Sequence, residues 1–166
     1  MKLHLIKLFL FLSFFVCLGL FREYVFININ NIIYFKYYKN TTVPIPFGFG
    51  WLTKFSYATL YYLKYPLTIL FVVVYYFSNV FFLKSFSVSF FYIRILKWAY
   101  VVIIVTSALL MLYAYFFHQK LNDDEYSISR AFMGIAQSPL ISFILFALYL
   151  WDKNKFQNHE KRHSSI

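Results

Sequence analysis

The stretch WAYVVIIVTSALLMLYAYFF, residues 98–117, contains no Asp, Glu, Lys or Arg. Twenty residues of helix at 1.5 Å each reach about 30 Å, the thickness of a bilayer's hydrocarbon core. A helix also satisfies its own backbone N–H and C=O groups, as a solvent without hydrogen bonds requires. The stretch therefore predicts a transmembrane helix. Working outward, Pro66 to Leu83 and Ala131 to Trp151 are equally free of charge and long enough to cross. Leu8 to Phe21 is shorter, and spans only if Leu3 to Ile6 are included and Lys7 turns its ammonium back to the interface.

These blocks predict an all-α, polytopic membrane protein with about four transmembrane helices forming a single membrane domain over residues 1–166. The spans lie at about 3–21, 66–83, 98–117 and 131–151, with an outer interfacial segment at 22–65 and a polar C-terminal tail at 152–166. Composition agrees: the chain is 61% hydrophobic and only 13% charged, where a soluble domain carries about 25% charge. Trp51, Trp98 and Trp151 fall at block edges or in the loop leading to one, where amphipathic rings favour the membrane interface. The Phe, Tyr, Ile, Asn and Lys excess is also what an AT-rich genome produces.

Lys2 and Lys7 before Leu8 to Val16 have the layout of a signal sequence, but no small-x-small cleavage triplet follows. An uncleaved signal anchor is expected. Cys17 is the single cysteine, which rules out an internal disulfide and a multi-cysteine metal site. If the N-terminus is inside, the inner segments hold nine Lys and Arg residues and the outer ones seven, and Asp123 to Glu125 fall outside. The bias is modest and places both termini inside. The net charge of +10 suits anionic lipid headgroups. Its scatter along loops, with no basic stripe, argues against a nucleic-acid partner.

The segment Arg22 to Tyr65 is too long for a turn and too short and apolar for a soluble domain. Thr42 to Gly50 alternates apolar residues with Pro and Gly and predicts an extended loop. Tyr24 to Tyr38 is compatible with an interfacial helix or strand, and Trp51 to Tyr65 with an early start of the second helix, bent at Pro66. Asn40-Thr41-Thr42 matches a glycosylation triplet, a pattern that chance produces often.

In the fourth block, Asn122 and Glu125 have capping-pair spacing. Gly134, Ser138 and Ser142 recur every four residues, putting small side chains on one helical face with Gln137 beside them. Pro139 lacks an N–H and frees a carbonyl that Ser138 or a neighbouring helix must satisfy. The stripe is either a kinked helix packed in its own bundle or a docking face for another protein's helix. Asn79 and Thr106 with Ser107 are the other deep polar groups, and interhelical hydrogen bonds are expected of them.

No catalytic constellation stands out. His4, His118, His159 and His163 lie at or beyond block ends, and Cys17 has no base nearby in sequence. No acidic residue lies at the centre of a block, as an ion or proton path would require. The chain is thus expected to be neither an enzyme nor a metal or cofactor binder, and no small-molecule substrate is identified.

Several features together resemble the small membrane proteins associated with the exosortase F system of certain Gram-negative bacteria. These are Arg22-Glu23 after the first block, Phe35-Lys36-Tyr37-Tyr38, Pro44-Ile45-Pro46, the middle pair of spans, and Arg130 ahead of Gln137-Ser138-Pro139. The chain departs from that pattern at Asn30-Asn31, Ser129 and Ser138. The resemblance implies a non-catalytic partner of a membrane sorting protease in a bacterial inner membrane. The alternative is a structural subunit of a respiratory-chain or ATP-synthase complex in a mitochondrial inner membrane. A small transporter or channel ranks last, because no internal repeat is present. On either leading reading the partners are other integral membrane proteins and anionic lipids. The residues expected to contact a partner are Gly134, Gln137, Ser138 and Ser142, with Arg22, Glu23 and Arg130 as interfacial anchors.

Overall fold

The computed structural model describes residues 2–38, 48–117 and 123–163, and every regular element among them is helical. The helices are α1 (Lys2–Tyr38), α2 (Tyr57–Ser85), α3 (Phe90–Phe117), α4 (Asp123–Ala136) and α5 (Leu140–His163), with a short 3-10 turn at Gly50–Lys54. Three of them, α1, α2 and α3, are long and apolar enough to cross a membrane. The Pro44 to Pro46 element, the Asn40 triplet and Asn122 lie outside the described residues.

The chain forms two compact units divided within α2, Met1–Val73 and Val74–Ile166. In the first unit, α1 runs unbroken through Arg22 to Tyr38, where the sequence left open a separate interfacial helix or strand. The helix persists because residues 24–38 keep an apolar face at helical spacing. Ile29, Ile32 and Ile33 are buried against Leu52 of the 3-10 turn and Leu60 of α2, with Val25, Phe49, Leu63 and Leu67 around them. Packing on this face outweighs the modest helix penalty of β-branched residues. Lys36 Nζ donates to the Thr53 carbonyl at 2.7 Å and ties the end of α1 to the turn.

The second helix starts at Tyr57, as the early start in the sequence implied, and Ser56 caps it by accepting from the Thr59 N–H at 3.1 Å. It carries Pro66 inside. Rings set the register of α1 against α2: Tyr37 meets Tyr57, and both Phe21 and Phe26 meet Phe71. The two helices are antiparallel, and Arg22 and Glu23 lie level with Phe71. Before residue 21 the face is different, since only 6% of the most apolar window of α1 is buried. Phe9, Leu10, Val16 and Leu20 are all exposed.

In the second unit, α2 and α3 are joined by a tight turn in which Ser87 has φ 53°, a left-handed conformation unusual for a residue with a Cβ. The Ser87 carbonyl accepts from the Tyr149 hydroxyl of α5 at 3.4 Å. Phe82 lies edge-on to Phe143 and Phe146, and Phe86 packs on Phe146, so aromatic pairs join the end of α2 to α5. Tyr92 of α3 donates to the Asp152 carboxylate and packs on Tyr149.

The block expected as one fourth span, residues 131–151, is two helices. The chain leaves helical geometry at Gln137, Ser138 and Pro139, between α4 and α5. A proline ring inside a helix removes one hydrogen bond and clashes with the preceding turn. Here that strain produces a break where a kink was expected.

Candidate functional site

The break is the most polar buried place among the described residues, and the second unit builds it from four elements. Gln137 N–H still reaches the Met133 carbonyl at 3.0 Å, so α4 closes normally up to that point. Pro139 has no N–H to offer the Ile135 carbonyl, and the Ser138 hydroxyl takes that role at 2.8 Å. Of the two donors the sequence left open, Ser138 or a neighbouring helix, it is Ser138 that meets the freed carbonyl.

The Ser138 carbonyl is met from another helix. Asn79, fully buried in α2, donates from Nδ2 to this carbonyl at 3.1 Å and to the Tyr100 hydroxyl of α3 at 2.7 Å. Its Oδ1 accepts from the Ser142 hydroxyl of α5 at 2.7 Å, and Ser142 also lies 2.9 Å from the Pro139 carbonyl. A carbonyl only accepts, so the Ser138 contact fixes which end of the Asn79 amide is nitrogen. The Tyr100 hydroxyl must then accept. One side chain thus joins α2, α3, the break and α5, with both amide protons and the oxygen of its amide engaged.

A second polar contact links α3 to α4. The Ser107 hydroxyl donates to the Ser129 carbonyl at 3.0 Å, the Ser129 hydroxyl returns a bond to the Ser107 carbonyl at 3.1 Å, and the hydroxyls lie 2.9 Å apart. Asn79 and Ser107 therefore make the interhelical bonds expected of them. Their partners Tyr100 and Ser129 were not expected in that role from the sequence. A Tyr in a Tyr-rich chain and a Ser in the middle of a short helix carry no distinguishing local signal.

The expected partner-contact residues separate into groups. Ser138 and Ser142 belong to the Asn79 knot, and Gln137 is buried beside it. Gly134 lies in α4, and a Cβ built there meets nothing within 4 Å, so its small size admits no neighbour from its own chain. The break also ends the common face: Gly134 and Ser142 stand on different helices. Arg130 lies in α4 with its side chain outside the described residues.

Arg22 and Glu23, expected where the first span ends, sit within the continuous α1. Leu18, Arg22, Val25, Ile29, Ile32 and Lys36 follow the helical repeat and are all partly or fully buried. Arg22 therefore lies on the packed face, and its Nε is buried with no hydrogen-bond partner. The same holds for Nδ2 of Asn28, one turn and a half further on. Glu23 is exposed on the adjoining face. Neither member of the charged pair bonds to another described residue.

Among the described residues no group of three or more His, Cys, Asp or Glu side chains comes together. Cys17 is exposed on α1. No protein-family model matches the chain, and neither a curated protein nor a solved structure matches it.

Proposed function

We propose that this chain is a multi-pass membrane protein with a non-catalytic role: it binds other integral membrane proteins and holds them together. In this reading α1, α2 and α3 each cross the bilayer, and α4 with α5 makes a fourth, broken crossing. Both termini lie on the inner side. Hydrocarbon tolerates a broken helix only where the freed backbone groups are met by protein, and the bonds from Ser138 and Asn79 are of that kind.

The observation that carries the role is the pairing inside the second unit. Asn79 bonds to Tyr100, Ser138 and Ser142, and Ser107 to Ser129, each across helices. A transport path would instead present polar groups toward a cavity. The N-terminal half of α1 offers a wide apolar surface that its own unit leaves uncovered. The sequence resemblance names an exosortase-type sorting system of a bacterial inner membrane as the partner.

The test is purification of a tagged copy from its native membrane in mild detergent, with mass spectrometry of what co-migrates. A sorting protease supports the resemblance. Respiratory-chain or ATP-synthase proteins move the chain to the alternative class of structural subunit. Recovery of the bare 20.1 kDa chain rejects both. Gly134→Leu, placed where a Cβ meets nothing, should reduce co-purification without unfolding the chain if α4 contributes to the contact.

A further inference from the structure

We propose that α1 pairs with α1 of a second copy of this chain, through reciprocal ion pairs between Arg22 of each copy and Glu23 of the other. The inference rests on the reading that α1 and α2 cross the membrane. Given that reading, the ring register sets the depth of the charged pair. Phe21 and Phe26 both meet Phe71, which lies five residues inside the charge-free block that begins at Pro66. Five residues of helix are about 8 Å. Arg22 and Glu23 are therefore held within the hydrocarbon, whose half-thickness is about 15 Å. The aromatic rings of Tyr34, Tyr37, Tyr38, Tyr57, Tyr61 and Tyr65 lie toward the other end of the helix pair, where an interfacial belt belongs.

Charges at this depth are costly unless paired. Among the described residues they are not paired. Neighbouring residues on a helix project about 100° apart and do not face each other. Neither Arg22 nor Glu23 bonds to another described residue, and the Arg22 Nε is buried without an acceptor. Glu23 is the only acidic residue in the first 73 positions, so no other carboxylate of that unit is available to Arg22.

A lipid phosphate would satisfy the guanidinium and leave the carboxylate alone in hydrocarbon. A second copy satisfies both. Two copies inserted with the same topology are related by a two-fold axis along the membrane normal, so residues of equal number share a depth. Arg22 and Glu23 differ in height by only about 1.5 Å. Arg22 is only partly buried, so the exposed part of its guanidinium and the exposed Glu23 of the partner lie at matching depth, and the pair forms twice. The uncovered apolar surface before residue 21 supplies the rest of the contact.

The experiment co-expresses two differently tagged full-length copies in a heterologous membrane that lacks other native partners. Self-association is read as the fraction of one tag recovered with the other. Carbonate extraction of each variant is done first: release of the chain from the membrane rejects the membrane reading itself, and with it the pairing. For retained chains, wild-type copies should co-purify, and Arg22→Glu alone or Glu23→Arg alone should reduce recovery at least tenfold. The Arg22→Glu copy expressed with the Glu23→Arg copy should restore it, as should the double reversal in one chain. Rescue by mixing cannot come from misfolded variants. Wild-type copies that do not co-purify, single reversals that still self-associate, or a mixed pair that stays apart would each overturn the pairing.

Discussion

Asn79 and Arg22 are both polar side chains set in long apolar helices, and their surroundings differ. Asn79 has both amide protons and its oxygen engaged by groups from α3, α5 and the break. Arg22 has a buried nitrogen with no acceptor, on a helix whose first half is hardly covered. Among the described residues, the second unit leaves no buried side-chain nitrogen or oxygen without a partner, and in this sense is closed; the first leaves two, and is open. A closed polar cluster specifies how a chain folds, because any other arrangement orphans its members. An open one specifies what the chain must still meet.

The sharpest way to break this contrast is Asn79→Leu. It leaves the Ser138 carbonyl and the Tyr100 hydroxyl without their partner, and the loss should be on the order of 2 to 4 kcal/mol. Reversible unfolding in mixed micelles measures it, and a loss below about 1 kcal/mol would mean the knot contributes little beyond an ordinary membrane hydrogen bond. Next in size is the serine pair. Ser107→Ala and Ser129→Ala should each cost about 1 kcal/mol, and the double variant should cost less than their sum, since each removes bonds the other shares. Strict additivity would show the two hydroxyls acting independently.

Two smaller effects, one at an uncovered position of α4 and one in the first unit, have the opposite sign or none. Gly134→Ala should stabilise the isolated chain by roughly 0.5 to 1 kcal/mol, because Ala is the better helix former and the new methyl meets no atom within 4 Å. Arg22→Leu should leave the isolated chain's unfolding unchanged within about 0.5 kcal/mol or raise its stability, while reducing self-association. If Arg22→Leu unfolded the single chain as Asn79→Leu does, the distinction between the two units would be lost.

Much of this was legible in the sequence for physical reasons. A charge-free run of about 20 residues has few fates, and the runs at 66–83 and 98–117 became the cores of α2 and α3. Pro139 announced a freed carbonyl, and Ser138, one residue before it, was a nearby donor able to answer it. Asn79 and Ser107 were visible as polar residues with no solvent to meet. Their partners were not visible, because the bonds close over sequence separations of 21, 22, 59 and 63 residues. The continuity of α1 was hidden by its composition: Asn28 to Ile33 reads as poor helix, and the packing of Ile29 and Ile32 on Leu52 and Leu60 reverses that preference. Ser129 and Ser138, two of the places where the chain departs from the family it resembles, each make an interhelical or break-sealing bond.

The knot also orders events in time. Asn79 precedes Ser138 by 59 residues, so α2 and α3 are synthesised before the break emerges. On the proposed four-crossing reading, neither half of the broken crossing is long enough to insert alone: α4 has 14 residues, and α5 meets Asp152 and Lys153 after its first twelve. The last segment of the chain must therefore wait for a template that is already in place, and the amide of Asn79 is the part of that template that recognises it.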